Sequence, residues 1–547
     1  AGHYSNVGIG HTRWATHGVP TDVNSHPHCS CDKKVAVVHN GIIENYATLK
    51  DELIEKGYVF SSDTDSEVAA QLFSYLYTGD LLETIMKVRD KIRGSYALGI
   101  IHEEQPDKII CTRKESPLII GLGKDKNFIA SDVPAILKYT RDVIFLENDE
   151  IAIIEEGKVT VFNEEGKPIV KEISKIEWDM EQASKNGYPH FMLKEIEEQP
   201  AVVERTLEVY IKPDGKIDFG KAFEKIDFEK IKEIDIIACG TAYHAGLQAA
   251  YFFKKMAKIK TNVDIASEFR YSDPFLTEDN LVIFISQSGE TLDTLMALKL
   301  ARSKGAKTLA ITNVVGSTIS READVVLYTV AGPEISVAST KAYTTQVVTF
   351  YLLALYVAFK CKRVTLEEYD SYLDKIYSLS EKIGKMFFNK EKIEKIAQKI
   401  KDKKNGFYIG RGIDEKITRE GSLKMKEITY IHTEAFPAGE LKHGPIALIE
   451  EGTMIVVVST QRDMVEKVAS NIKELKARGA FVISVTKADY KEILDVSDRV
   501  ILIDDIDDMV APLLSMIPLQ LLSYYTAVAK GLDVDKPRNL AKSVTVE

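Results

Sequence analysis

Two stretches set small residues and hydroxyls directly behind short apolar runs, and a third opens a helical run. They are Cys239-Gly240-Thr241-Ala242, Ser286-Gln287-Ser288-Gly289-Glu290-Thr291, and Val337-Ala338-Ser339-Thr340-Lys341 ahead of a further helical run. In an open parallel sheet, ligands sit at the carboxyl ends of strands, where helix N-termini aim unsatisfied N–H groups and a positive dipole at an anion. One Ser-rich turn of this kind is an ordinary helix cap. Three in one domain point to a sugar phosphate or a nucleotide, and neither GxGxxG nor GxxxxGK[ST] accompanies them, which favours the sugar.

Farther along, Glu420, Lys424 and Glu427 fall at i, i+4 and i+7 of a charged helical run, so a carboxylate and an ammonium can converge on one substrate. Alone, such a run reads as a solvated salt-bridge face. It is followed by a glycine-bounded loop presenting a histidine, Gly439-Glu440-Leu441-Lys442-His443-Gly444-Pro445, and the chain ends in Arg538-Asn539-Leu540-Ala541-Lys542-Ser543-Val544-Thr545-Val546-Glu547. Polar chain ends fray by default. This tail carries Val534, Pro537, Leu540, Ala541, Val544 and Val546 to bury, so order is expected from 531 onward.

The first 65 residues hold His3, His11, His17, His26, His28 and His39, but at spacings that fit no zinc pattern, and Cys29 and Cys31 stand too isolated for one; no metal is expected. Other strings there are His11-Thr12-Arg13-Trp14-Ala15-Thr16-His17-Gly18, His39-Asn40-Gly41 and Asp63-Thr64-Asp65-Ser66-Glu67. Asn-Gly behind a strand is a turn by default, and Trp14 by itself is an ordinary core aromatic.

A chain of 547 residues, 45% of them apolar, exceeds one core and calls for roughly two to four domains. Residues 1–158 mix strands at 35–38, 96–101, 108–112 and 151–154 with helix-like runs near 45–56 and 65–77, an α+β layout. A charged stretch, 159–224, reads as its end and a linker. Beyond it the chain repeats. IDIIACG at 234–240 matches GFYIG at 406–410, LVIFIS at 281–286 matches IVVVS at 455–459, Gly305-Ala306 matches Gly479-Ala480, and Ala323-Asp324 matches Ser497-Asp498. Ordered matches of strand, turn and helix describe two parallel-sheet α/β domains, 225–365 and 397–530, with a tail at 531–547. In the second copy Ser459-Thr460-Gln461-Arg462 replaces the serine turn.

Net charge is −11, with acidic and basic groups spread along the length, so no basic stripe offers itself to nucleic acid or anionic lipid. The apolar runs 347–359 and 509–529 read as buried helices rather than membrane spans. Five scattered cysteines fit a reducing cytoplasm.

The Ser-Gln-Ser-Gly-Glu-Thr string in a duplicated α/β domain resembles the sugar isomerase (SIS) family. Together with 239–241, 337–341, the His443 loop and the tail, it is similar to the glutamine-dependent fructose-6-phosphate amidotransferases, and the motifs at 11–65 resemble their N-terminal-nucleophile glutaminase domain. The resemblance spans nearly the whole chain. It implies conversion of fructose 6-phosphate to glucosamine 6-phosphate with ammonia from L-glutamine, no cofactor, and no metal. Thr241, Ser286, Gln287, Ser288, Thr291, Val337 and Ser339 would hold the sugar phosphate. Position 242 departs from the family, with Ala where many relatives carry Ser. His443 would assist ring opening, Glu427 would shuttle the C1/C2 proton, and Lys424 would polarise the enediolamine oxygen. Lys542 would form the Schiff base, which requires a neutral amine and hence a tight or cationic setting. In the glutaminase, Asn40 and Gly41 would form the oxyanion hole, Arg13 and Asp65 would hold the glutamine carboxylate and amine, Thr16 and His17 would line the pocket, and Trp14 would gate an ammonia channel. The family nucleophile is an N-terminal cysteine. Ala1 cannot serve and Cys29 lies inside the domain, so the segment carrying it is expected to be missing, and glutamine hydrolysis with it. A homodimer through the isomerase half is suggested by the apolar run 346–359. The competing readings are a sugar-phosphate deglycase or isomerase on the same duplicated domain, disfavoured by the glutaminase motifs, and a non-catalytic sugar-phosphate sensor, which has no use for a proton shuttle.

Overall fold

The computed structural model describes residues 6–13, 17–133, 135–176 and 184–545. They fall into two compact units, one made of 1–180 with 290–293 and 543–547, the other of 181–289 with 294–542.

The first unit is built on two antiparallel sheets. One runs His28–Cys29, Val35–Ile43, Gly94–His102, Gln105–Lys114, Ile151–Glu155, Lys158–Phe162, Pro168–Ile169 in spatial order; the other runs Ser174–Lys175, Asp142–Phe145, Ile119–Leu122, Asn127–Ala130. Strand alternation sorts its residues. Leu98, Ile100 and Ile110 pack under the helices Tyr46–Glu55, Ser66–Leu76 and Leu81–Lys91, while Ala97, Ile109 and Cys111 join Ile120 and Ile144 of the second sheet. The helix Leu81–Lys91 goes beyond the two helical runs expected. Its buried face is only Leu81, Thr84, Ile85 and Val88, too mixed to stand out, and Asp80 caps it by accepting from the Glu83 amide at 3.0 Å. Asn40 and Gly41 lie within a strand, opposite Ala97 and Tyr96, rather than in a turn.

The second unit contains two parallel five-stranded sheets. Their orders are Lys260–Ile265, Glu233–Ala238, Asn280–Ser286, Lys307–Thr312, Val325–Tyr328 and His432–Pro437, Asn405–Gly410, Met454–Ser459, Phe481–Lys487, Arg499–Ile503. The two orders are the same, as the repeat requires. The helices Lys341–Lys360 and Ala511–Ala529 are long and apolar enough to cross a membrane, yet 89% of each apolar window is buried in the protein. They share one core with both sheets, from Ile283 to Val456. Gly421 marks how closely Ile413–Thr429 packs there, since a Cβ on it would meet Leu519 at 2.8 Å. The chain's own core absorbs almost all of Lys341–Lys360.

The stretch 159–224 is more structured than a linker. Lys158–Phe162 and Ser174–Lys175 extend the sheets of the first unit, and Phe191–Glu197 with Gln199–Tyr210 send Met192, Ile196, Val203 and Leu207 into the second unit's core.

Candidate active site

In the second unit, helices Gly240–Phe252 and Ile413–Thr429 each follow the first strand of their repeat in sequence. Thr241 donates its hydroxyl to Glu420 Oε1 at 3.0 Å and accepts from Lys424 Nζ at 2.9 Å. Lys424 also pairs with Glu420 at 3.3 Å and with Glu427 at 2.6 Å, and His244 Nδ1 lies 2.7 Å from Glu420 Oε2. The side chains of Glu420 and Lys424 are 0% exposed, so this is no solvated charge face. Burial alone would raise the Glu420 carboxyl, but Lys424 and His244 outweigh it and hold it below the usual carboxylate range. Burial would likewise lower Lys424, and the two carboxylates overcome that and raise it. Glu427 goes the other way: burial keeps it raised despite Lys424.

Ala238 pairs with Ile285, so the turns 239–241 and 286–289 leave neighbouring strands at the same sheet edge. Ser286 is buried and its Oγ accepts the Gly289 N–H at 3.0 Å, so that hydroxyl folds the turn. Gly289 sits at φ +69, where a Cβ would fall 2.0 Å from Ser317 Oγ; only glycine fits. Gln287 and Ser288 are half-buried on this turn, and Thr291 directly precedes helix Leu292–Ser303.

The third expected anion turn differs. Glu334 Oε1 accepts the N–H groups of Thr340 and Ala342 at 2.9 and 3.0 Å, so the N-terminus of Lys341–Lys360 is already occupied by a carboxylate. Val337 and Ser339 are half-buried in the loop ahead of it. Lys542 reaches this loop, its Nζ 2.5 Å from Glu334 Oε2 and donating to the Ser336 carbonyl at 2.8 Å. Its setting is therefore anionic, where a tight or cationic one was expected. The tail that delivers it is anchored by Asp535, which accepts the Phe191 and Met192 amides at 2.9 Å and whose carbonyl accepts from Val337 at 3.0 Å. Val534 and Pro537 are buried as expected, whereas Leu540 and Val544 remain exposed. His443 ends the turn Glu440–His443, is exposed, and its side chain makes no hydrogen bond or ion pair among the described residues.

In the first unit, His11, Arg13, His17, His26, His39, Asn40, Gly41, Thr64, Asp65 and Ser66 line one pocket. None of the five cysteines does. Asp65 is buried, accepts the Ile43 amide at 2.8 Å, and lies 3.9 Å from His17 Nδ1. Gly41 has φ +128, and a Cβ there would meet the Ser95 carbonyl at 2.1 Å. The Asn40 amide donates to Thr545 Oγ1 at 2.9 Å, and residues 543–545 belong to this unit rather than to one continuous tail. Arg13 donates to the carbonyls of His17 and Gly18 at 2.7 and 2.8 Å, which fixes the guanidinium on its own loop. Trp14 and Thr16 lie outside the described residues.

Comparison with known proteins places these sites in context. Residues 11–138 match the glutamine amidotransferase domain, and 227–356 with 399–530 match the SIS domain twice. A glutamine–fructose-6-phosphate aminotransferase [isomerizing] of Fusobacterium nucleatum is 59% identical over 99% of this chain and 89% of its own length. The protein of that name from Caldanaerobacter subterraneus subsp. tengcongensis is 55% identical over the same shares. The chain belongs to the glutamine–fructose-6-phosphate aminotransferase family. A solved C-terminal domain of glucosamine-fructose-6-phosphate aminotransferase from Francisella tularensis covers 65% of this chain at 42% identity, with a TM-score of 0.62.

In this aminotransferase chain the two SIS repeats differ chemically. The second fills its own anion position: Asp414 accepts the Thr460 amide at 2.6 Å and the Thr460 hydroxyl at 2.5 Å. Burial pushes Asp414 up to about 6 against those hydrogen bonds. An internal carboxylate thus takes the place where the first repeat keeps its serine turn. Reasoning from the sequence misses Asp414, His244, Glu334 and Glu195. None sits in a Ser-rich turn, and each has a partner that lies far away in the chain.

Burial holds His11, His26 and His39 of the amidotransferase pocket below the usual imidazole range. Burial, reinforced by neighbouring His11, His28, His39 and Arg13, pushes His26 down to about 2, and the His26 ring accepts the His39 amide at 3.4 Å, which needs an unprotonated nitrogen. A histidine depressed on folding binds fewer protons folded than unfolded, so its stability contribution is complete above the unfolded value of about 6.5 and is lost as pH falls below it. Protection factors of the amides in strand Val35–Ile43, taken against their intrinsic exchange rates at each pH, are expected to fall between about pH 7 and 5, and His26→Gln to flatten that dependence; an unchanged slope in the variant would refute the assignment.

Proposed function

We propose that the chain makes glucosamine 6-phosphate from fructose 6-phosphate, the nitrogen coming from L-glutamine through the amidotransferase unit or from free ammonia. The observation that carries this reading is Lys542, an amine brought by the tail to the loop of Val337 and Ser339, in the unit whose turns carry Thr241, Ser286, Gln287 and Ser288. In the reaction, Lys542 forms an imine with the open-chain ketose, and Glu427, whose carboxyl burial keeps raised, shuttles the proton between C1 and C2. Lys424, kept charged between two carboxylates, stabilises the enediolamine oxygen. Ring opening is assigned to His443 on its motif alone. At the first unit, Gly41 and Asn40 stabilise the tetrahedral oxygen, while Asp65, Arg13, Thr16 and His17 hold glutamine, with Trp14 as the gate. Scattered cysteines and a phosphorylated sugar substrate support a cytoplasmic setting.

The test is product formation: the purified chain, given fructose 6-phosphate and an ammonium salt or glutamine, should yield glucosamine 6-phosphate. No product from either nitrogen source would overturn the reading. Ser288→Ala should raise KM for fructose 6-phosphate by about 10-fold, the worth of one lost hydrogen bond to a phosphate, and leave KM for the nitrogen source unchanged. An unaltered sugar KM would reduce Ser288 to a turn residue.

A further inference from the structure

Imine formation at Lys542 raises a question of protons, because the structure holds that amine against a carboxylate. The charged groups facing this spot are Glu334 and Glu195, with Lys341 bound to Glu198 at 2.7 Å and Lys194 at 3.4 Å from the same Glu198. Glu334 is fixed at both oxygens, Oε1 by two helix amides and Oε2 by Lys542, so it cannot swing away when the amine must become neutral. Behind it, Glu195 Oε1 accepts the Ile335 and Ser336 amides at 2.5 and 3.2 Å, while its Oε2 is buried without a hydrogen-bond partner among the described residues. Among the described residues, Ser336 Oγ and Thr340 Oγ1 are buried and unpartnered as well. Buried polar atoms left unsatisfied are costly and call for a role.

We propose that Glu334 takes the proton from Lys542 when that amine becomes a nucleophile and returns it to the departing water, and that Glu195, behind it, is a positioning residue. The inference rests on the reading of Lys542 as the imine-forming group. Burial, with Glu334 adding to it, pushes Glu195 up to about 8, whereas Lys542 holds Glu334 below the usual carboxylate range against the same burial. Of the two carboxyls, Glu334 is the one favoured in its ionised form, beside the amine, and Glu195 is the one biased toward its protonated form.

The step balances without an outside reagent. The ammonium gives its proton to the Glu334 carboxylate, and the freed nitrogen lone pair attacks the ketose C2 as the C=O π pair moves to oxygen. A nitrogen proton passes to that oxygen to give a neutral carbinolamine. Glu334 then protonates the hydroxyl, the C–O bond breaks, water leaves, and the nitrogen lone pair closes the C=N bond of the iminium. Ammonium and ketone have become iminium and water, with the carboxylate restored.

Glu334→Gln keeps an acceptor for the helix amides and replaces the base with an amide. The full chain and this variant, each treated with fructose 6-phosphate and borohydride from about pH 6.5 to 9.5, are compared by the rate of sugar attachment to Lys542, read by peptide mass spectrometry. The variant should be at least about 10-fold slower at neutral pH, with the deficit closing as pH rises and solvent takes the proton instead. Parent-like trapping at neutral pH overturns the proposal, and so does a deficit of equal size at every pH, which lost positioning alone would give. If the Gln variant does not fold, Glu334→Asp decides: it keeps the base at a longer reach and should be slower with the parent's pH dependence, and a changed dependence overturns the idea. A parent chain that attaches no sugar to Lys542 sinks the imine reading itself, a failure separate from either of these.

Discussion

Lys542→Arg is expected to lower kcat for sugar conversion by at least about 10³-fold while hexose-phosphate binding stays near that of the parent. The guanidinium keeps the positive charge and can pair with Glu334 through its fork, so the tail should remain seated. What it cannot do is lose a proton and form an imine. The tail's anchoring does not depend on the amine either, because Asp535 ties it to the amides of Phe191 and Met192 and Val534 is fully buried. Two measurements decide the matter: turnover against calorimetric binding of fructose 6-phosphate, and borohydride trapping of the sugar on the parent chain. Full turnover by the variant, or sugar trapped on a different lysine, would remove Lys542 from the mechanism.

Features of this molecule that are local in the chain are legible in its residues alone. The repeat shows because central strands such as Asn280–Ser286 and Met454–Ser459 are near-continuous apolar runs, as strands covered on both faces must be, and the shared strand order follows from it. The edge strands Lys260–Ile265 and His432–Pro437 are not legible, since Thr261 and Thr433 are the one buried residue in each and charged or polar residues fill much of the rest. Spacing puts Glu420, Lys424 and Glu427 on one helix face, but spacing cannot say that the face is sealed from water. That depends on Thr241 and His244, the latter 176 residues from Glu420. The carboxylate on Lys542 is out of reach for the same reason, being 208 residues away and in a loop that reads as a phosphate turn. An acid at a helix N-terminus and a phosphate there satisfy the same N–H groups, and a sequence does not distinguish them. Of the tight or cationic setting expected for Lys542, the cationic alternative is the one that Glu334 replaces.

Lys424→Met should cost about 3–5 kcal/mol of unfolding free energy at neutral pH, because it removes the cation between the fully buried Glu420 carboxylate and the half-buried Glu427. The substitution nearly conserves volume, so the loss is electrostatic rather than a cavity effect. Glu420 is the group left exposed to the consequence: fully buried, it keeps only Thr241 and His244 as partners. The pH dependence gives the sign. In the parent, Lys424 and His244 hold the Glu420 carboxyl below its unfolded value, so its contribution is present above that value and fades as pH falls through the depressed one. Without Lys424, burial raises the carboxyls at 420 and 427 on folding, and the variant should recover relative to the parent as pH falls below about 5 and both become protonated. Glu420→Gln in the same chain should restore part of the loss at neutral pH by removing the stranded charge, although sugar conversion stays lost. Urea unfolding of parent, single and double variants at about pH 7 and 5 checks all three statements. A single variant within about 1 kcal/mol of the parent at pH 7 would mean that water reaches this cluster and that its charges are screened there.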